Sequence, residues 1–151
     1  MPLTISVAAI ATFTALSSSV LKLFGLTAAS TGINEKAAHA AEIAYDKVVL
    51  FPASHAAYYP GAQSMAMKVL YEKESLRLLG AQIVGGEGVD KRIDVLATAI
   101  RAKMTASELT ELDLSYAPPY SSAKDPVNMA GFMIEDLESG KVQQFHWNDV
   151  E

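Results

Sequence analysis

The spacing of apolar residues changes character at Gly85-Gly86, and this change limits the folds open to the chain. Before it, the apolar runs over residues 65–73 and 76–84 are short and separated by a polar turn, which is typical of a β-hairpin. After it, apolar residues recur every three or four positions from 89 to 104, which indicates an amphipathic helix. Strands followed by helices predict an α+β fold, with a mainly antiparallel sheet and helices packed on one face.

The first half of the chain carries further strand and helix signals. Residues 19–29 alternate loosely between apolar and small residues and predict one strand. Asn34 suits a helix N-cap, so a short alanine-rich helix is predicted over residues 35–42. A second strand is predicted over residues 47–51, which are rich in β-branched residues.

Two more helices are predicted from the residues at their ends. Thr105 and Glu108 have the spacing of a capping box, which starts a short helix. Asp125-Pro126 combines an N-cap residue with proline at the first helical position, and it starts the last helix. Gly140 is expected to end that helix.

Residues 1–17 are difficult to place. No charged residue lies between positions 2 and 21, and a run of this length could span a bilayer. However, the run holds seven Ser or Thr residues and lacks a basic flank and an aromatic belt. No Lys or Arg precedes it, as a signal peptide would require. We therefore interpret residues 1–17 as a leader of uncertain context beside a buried strand or helix, with secretion and membrane anchoring as alternatives.

The composition excludes several classes of site. The chain has no cysteine, so it contains no disulfide scaffold, zinc–thiolate site or thiol nucleophile of its own. Its net charge of −5 argues against a protein that tracks nucleic-acid phosphates. The only compact basic pair, Lys91-Arg92, is flanked by Asp90 and Asp94, and we interpret it as a solvated helix face.

The glycines and histidines predict no cofactor or metal site in this chain. Residues 80–85 have the spacing of a phosphate-binding loop, but Gly86-Glu87 stands where Lys-Ser/Thr is required. Gly86-Glu87-Gly88 lacks the third glycine of a dinucleotide fingerprint and favours a simple strand-to-helix turn. The histidines show no metal-type spacing and are expected to be structural; they are His39, His55 and His146.

Two loops stiffened by proline hold four of the six tyrosines: HAAYYPG at residues 55–61 and YAPPYSSAKDP at residues 116–126. Proline lowers the entropy cost of holding a side chain in one geometry. A tyrosine hydroxyl donates a hydrogen bond and Lys124 carries a positive charge, so this set could steady a thiolate or a phosphate. Alternatively, the tyrosines cap a sheet edge or fill a homodimer contact. The residues alone leave both open.

The same loops carry a family resemblance. The stretches GVDKRIDVLATAI (residues 88–100) and YAPPYSSAKDPVNMAG (residues 116–131) are supported by LTAASTGINEKAA (26–38), SHAAYYPGA (54–62) and LLGAQIVGGEG (78–88). Together they resemble the C-terminal dimerisation (interface) domain of the FAD-dependent pyridine nucleotide-disulfide oxidoreductases, in the branch of coenzyme A-disulfide reductases and NADH oxidases.

The resemblance implies a domain organisation and a set of partners. Residues 18–138 correspond to the dimerisation domain, and residues 139–151 resemble the connector to a rhodanese domain in fused coenzyme A-disulfide reductases. The implied protein is a cytoplasmic homodimer whose FAD and NAD(P)H are bound by other domains of the parent. This chain alone is expected to hold no cofactor or metal, and to bind neither nucleic acid nor membrane.

The resemblance also assigns roles to individual side chains. Tyr59, the second tyrosine of YYP, and Tyr116 are implied as catalytic hydroxyls that reach the partner's active site. Lys124, Tyr120 and His55 are implied as substrate-binding. A departing coenzyme A thiolate leaves faster when a donor or cation stabilises it. The chain is expected to be inactive alone; a stand-alone module that binds coenzyme A or another phosphorylated thiol, and a purely structural protein, are the alternatives.

Overall fold

A computed structural model of the chain describes residues 18–146 and residue 149. Its centre is a five-stranded antiparallel sheet in the order β1-β2-β5-β4-β3. The strands are β1 (Ser18–Leu23), β2 (Leu26–Gly32), β3 (Tyr45–Leu50), β4 (Met65–Glu72) and β5 (Leu78–Gly85). The helices are α1 (Glu35–Ala40), α2 (Val89–Arg101), α3 (Ala106–Thr110) and α4 (Pro126–Glu138). The α+β fold is confirmed, while the interpretation of residues 1–17 lies outside the described residues.

The prediction of a single strand over residues 19–29 is wrong. The chain reverses at Phe24 and Gly25, whose φ angles of 49° and 86° are both positive, and β1 pairs antiparallel with β2. Glycine adopts such a conformation without steric cost, and the turn lets Leu23 pair with Leu26. The expectation of a buried first element is also wrong for the described part, because every residue of β1 is exposed in this edge strand.

The predicted hairpin over residues 65–84 is confirmed and forms the centre of the core. Met67 of β4 and Ile83 of β5 are paired and fully buried. Leu96 of α2 and Ile134 of α4 are equally buried in the same cluster, so these helices cover one face of the sheet. Burial of each such side chain stabilises the fold by about 1.5–3 kcal/mol.

Helix α1 belongs to a second, smaller cluster. Its Ala38 packs with Ile33 and with Leu70, the residue of β4 that follows the core residue Val69. Successive strand residues point to opposite faces, so α1 covers part of the other face of the sheet. The predicted cap is confirmed, since the Asn34 side chain accepts a hydrogen bond from the backbone N–H of Ala37 at 2.9 Å.

The capping residues also begin α3 and α4 as predicted. The Thr105 and Glu108 capping box is present at the start of α3. Asp125 caps α4 by accepting from the N–H of Val127 at 3.0 Å, with Pro126 in the first turn. Within the described ranges, no helix has both the length and the hydropathy that crossing a bilayer requires.

Candidate functional site

The two tyrosine loops meet at the N-terminal end of α2. The β3–β4 loop (residues 51–64) and the α3–α4 loop (residues 111–125) enclose an open cleft of about 440 Å³ with this helix end. This volume lies within the range of small-ligand sites. Residues lining the cleft include His55, Glu87, Gly88, Lys91, Tyr116 and Tyr120.

Backbone hydrogen bonds hold the two loops together. The N–H of Ala56 donates to the carbonyl of Ser121 across the loops at 2.9 Å. Within the α3–α4 loop, the N–H groups of Tyr120 and Ser121 both turn back to the carbonyl of Ala117. This tight turn encloses Pro118 and Pro119, whose nitrogen atoms carry no hydrogen to donate. Hydrogen bonds between the two loops and within the α3–α4 loop therefore fix the backbone that forms the cleft.

Three of the five residues implied as site residues line the cleft: His55, Tyr116 and Tyr120. His55 is 4% exposed, and its Nδ1 lies 3.1 Å from the carbonyl oxygen of Ala56. A carbonyl oxygen only accepts, so this contact favours the tautomer with the proton on Nδ1. Tyr116 and Tyr120 are largely exposed at the cleft. Their hydroxyls are accessible to a ligand or to a second chain.

Tyr59 and Lys124 lie differently. The ring of Tyr59 meets the His55 ring edge-on, with the ring centroids 5.8 Å apart, so Tyr59 touches a cleft residue but does not line the cleft. Lys124 is exposed, and its Nζ lies 4.6 Å from the centroid of the Phe132 ring in a cation–π contact. The roles predicted for both residues stay predictions.

Tyr58 is one of the four loop tyrosines, but the family resemblance assigns it no role and it does not line the cleft. Its hydroxyl lies 3.3 Å from that of Tyr116, which links the two loops at their exposed ends. The hydrogen bond with Tyr116 raises the pKa of Tyr58 above its ordinary value. The available signal was its place next to Tyr59, but the family motif draws attention only to the second tyrosine.

The interpretation of Lys91-Arg92 as a solvated helix face is wrong for Arg92, which is 1% exposed. Its guanidinium faces the Asp125 carboxylate with Nη2–Oδ2 at 3.0 Å and Nε–Oδ1 at 3.4 Å. On α2, position 92 lies near the buried residues Val89 and Leu96, three and four positions away. That spacing puts it on the inner half of the helix, and it is the sequence signal that could have revealed its burial.

The Asp125 carboxyl group is ionised in this pair. Burial opposes its charge, but hydrogen bonds from the Ser121 hydroxyl at 2.6 Å, the Val127 N–H and Arg92 together lower the pKa of Asp125 below its ordinary value. A buried, neutralised ion pair therefore lies directly beneath the cleft. Lys91 lines the cleft with its Nζ 4.0 Å from the same carboxylate.

The glycine turn before α2 does not fit a dinucleotide. A Cβ added at Gly86 would collide with the side chain of Gln63, and one added at Gly88 would collide with the guanidinium of Arg92. The space left by these glycines is filled by the chain's own side chains, so no cradle for a pyrophosphate remains. Within residues 18–146, no three His, Asp or Glu side chains come together to hold a metal ion.

Comparison with known proteins agrees with this fold. The family model described as "Pyridine nucleotide-disulphide oxidoreductase, dimerisation domain" matches residues 18–127. The coenzyme A disulfide reductase of Staphylococcus haemolyticus is 43% identical over 122 residues, which cover 81% of this chain and 27% of that protein.

Solved structures give the same result. The reduced CoADR-RHD protein of Bacillus anthracis matches with a TM-score of 0.86 and 48% identity, over 89% of this chain and 24% of that one. The NAD-dependent persulfide reductase of A. fulgidus matches with a TM-score of 0.83 and 44% identity, over 85% of this chain and 24% of that one. This chain thus spans about a quarter of the length of these relatives. It belongs to the family of pyridine nucleotide-disulphide oxidoreductase dimerisation domains, and over this domain it is similar to coenzyme A disulfide reductases.

Proposed function

We propose that this chain is the dimerisation domain of a cytoplasmic FAD- and NAD(P)H-dependent reductase that acts on coenzyme A disulfide or a related persulfide. The observation that carries the proposal is the cleft in which both tyrosine loops meet, in a chain similar to a coenzyme A disulfide reductase and a persulfide reductase. The glycine turn of this chain does not fit a dinucleotide. FAD and NAD(P)H are therefore assigned to other domains of the parent, and the chain alone is inactive.

The cleft contributes hydrogen-bond donors to thiol–disulfide exchange. In that exchange an attacking thiolate forms a new S–S bond while the other sulfur leaves as a thiolate. This chain has no cysteine, so the attacking thiolate and both sulfurs of the substrate disulfide lie outside it. Tyr116, with Tyr59 beside His55, donates to the departing thiolate, while Tyr120, His55 and Lys124 bind the rest of the coenzyme A-type substrate.

The tyrosines act on the active site of a second subunit in a homodimer. Apolar exposure supports this arrangement, because large hydrophobic side chains cover the β1–β2 hairpin and α4 adds Met129. Those of the hairpin are Val20, Leu21, Leu23, Phe24 and Leu26, each more than half exposed in a single chain. Leu21, Leu23 and Leu26 share one face of the hairpin, and a group of exposed apolar side chains of this kind is typical of interaction sites.

Substitution of the two implied catalytic tyrosines tests the proposal. In the full-length reductase, Tyr59→Phe and Tyr116→Phe should each lower kcat for the disulfide roughly a hundred- to a thousandfold, the range for removal of one transition-state hydrogen-bond donor. Tyr45→Phe, in β3 and away from the cleft, is the matched control. Unchanged turnover in both variants would favour a purely structural role for the loops. Light scattering of the 151-residue chain should show a dimer, and a strict monomer at high micromolar concentration would count against the dimer.

A stand-alone thiol-binding module is the second candidate. The observation that favours it is that the described residues of a single chain already form the cleft, with Lys91 at its rim. Calorimetric titration of the isolated chain with coenzyme A tests this second candidate. Absence of binding removes this candidate and leaves the reductase proposal intact.

A further inference from the structure

We propose that Arg92 is a positioning residue that sets the relative placement of the two tyrosine loops. The expected effect of Arg92 on catalysis rests on the proposed function. Its effect on loop placement is argued only from the contacts of its buried guanidinium. Arg92 lines the floor of the cleft but is only 1% exposed, so we assign its effect to the backbone that carries the tyrosines.

The guanidinium contacts all three segments that enclose the cleft. Nη2 donates to the carbonyl of Ser54 in the β3–β4 loop at 2.9 Å, and Nη1 donates to the carbonyl of Gly88 before α2 at 3.1 Å. In the α3–α4 loop it pairs with Asp125 and donates to the Ser121 hydroxyl at 3.3 Å. A single rigid group therefore connects segments that lie more than thirty positions apart in sequence.

Two of the contact residues, Ser54 and Gly88, line the cleft themselves. Ser54 precedes His55, and Ser121 follows Tyr120 and receives the cross-loop hydrogen bond from Ala56. Tyr58 and Tyr116, whose hydroxyls are in contact, therefore belong to two loops that are held by the same side chain, Arg92. A shift of the anchor moves both loops relative to each other.

Lysine cannot replace the guanidinium in this place. The planar fork faces both carboxylate oxygens of Asp125 and still directs donors to the carbonyl groups of Ser54, Gly88 and Tyr120, whereas an ammonium group is a point charge. The site is also built around the larger head, since a Cβ at Gly88 would collide with Nη1. Arg92→Lys therefore keeps the positive charge but cannot make the same set of directed hydrogen bonds.

The first experiment uses the 151-residue chain and compares Arg92→Lys with Tyr71→Phe. Tyr71 is 1% exposed and donates to Glu138 at 2.7 Å outside the cleft, so its loss is a matched destabilising control. In Arg92→Lys we expect loss of the NMR contact between the rings of Tyr58 and Tyr116. Amide exchange should be roughly tenfold faster in both loops, with little change in β4.

Two results would overturn the proposal. One is retention of the Tyr58–Tyr116 contact and of loop protection in Arg92→Lys. The other is that Arg92→Lys speeds amide exchange throughout the chain in proportion to its loss of stability, which is the pattern expected of the control Tyr71→Phe. If Arg92→Lys does not fold, Ser121→Ala is used, because it removes only the hydroxyl between Arg92 and Asp125. Ser121→Ala must then loosen both loops, and unchanged loops would refute the anchor.

The second experiment measures single-turnover reduction of coenzyme A disulfide by the full-length reductase. Arg92→Lys should lower the rate constant roughly ten- to a hundredfold, as expected when reacting groups are misplaced by about 1 Å. A simple loss of folded enzyme would lower only the amount of disulfide reduced in the single turnover and leave the rate constant unchanged. This is the behaviour expected of Tyr71→Phe. An unchanged rate constant refutes the catalytic part. If the unsubstituted reductase shows no such activity, the proposed function fails, while the loop measurements still decide the role of Arg92.

Discussion

The hydroxyl oxygens of Tyr58 and Tyr116 lie 3.3 Å apart, which brings together the ends of two loops that are 58 positions apart in sequence. Because this hydrogen bond raises the pKa of Tyr58, Tyr116→Phe should lower that pKa towards the ordinary tyrosine value of about 10. A residue-resolved NMR titration of labelled tyrosine measures the change. Tyr120→Phe, which removes an exposed hydroxyl from the same loop, is the control. An unchanged Tyr58 titration in Tyr116→Phe would contradict the pairing.

Alanine substitutions at two glycines with the same backbone conformation test whether the Arg92 guanidinium is held firmly in the space beside Gly88. Gly88 and Gly140 have φ angles of 70° and 73°, so alanine at either position costs roughly 1–2 kcal/mol of strain. At Gly140 the added Cβ meets nothing within 4 Å, whereas at Gly88 it collides with Arg92. Gly88→Ala should therefore lower the free energy of unfolding by about 1–3 kcal/mol more than Gly140→Ala does. Chemical denaturation measures the free energy of unfolding of both variants. Equal decreases would show that the Arg92 guanidinium can move away from an added Cβ at no cost.

Local signals predicted the fold well where short-range chemistry determines it. The caps at Asn34, Thr105 and Asp125 depend on a side chain and an N–H two or three residues away, so the sequence is sufficient to place them. The turn at Phe24-Gly25 was missed because Phe24 also adopts a positive φ, which its residue type does not announce.

The candidate site was predicted less completely, since its contacts join distant segments. The motifs located both tyrosine loops, but they could not show that Tyr58 pairs with Tyr116 or that Lys124 lies over Phe132. Arg92 was assigned to solvent because its sequence neighbours are charged. Its true partner, Asp125, lies 33 positions away, and only the tertiary fold brings the two together.

The ion-pair cluster beside α1 predicts a contribution to acid sensitivity. Burial opposes the charge of Glu35, but hydrogen bonds from Lys47 at 2.5 Å and Lys68 at 2.7 Å lower its pKa below the ordinary value. A lowered pKa in the folded state stabilises the fold above the unfolded pKa of about 4.3, and this contribution is lost as the pH falls through the folded pKa. Glu35→Gln should therefore show a weaker loss of stability between about pH 5 and pH 3.

Urea unfolding at several pH values measures this difference. Glu111→Gln changes an exposed carboxyl outside the cluster and serves as the control. If Glu35→Gln loses stability on acidification as steeply as the unsubstituted chain, the ion pairs contribute nothing to the acid response.

The edge strand β3 is covered by a side chain from the segment after α4. The Gln144 amide pairs with the backbone of Val49, accepting from its N–H at 3.1 Å and donating to its carbonyl at 2.6 Å. Unpaired edges invite association with other strands, so this amide replaces a missing strand at one position. Gln144→Ala should speed exchange of the Val49 N–H roughly five- to thirtyfold, the equivalent of 1–2 kcal/mol. Gln143→Ala, at the exposed neighbouring position, should leave it unchanged. Equal exchange rates in the two variants would mean that the amide does not protect the edge, and that the predicted connector at residues 139–151 begins without a fixed contact to the sheet.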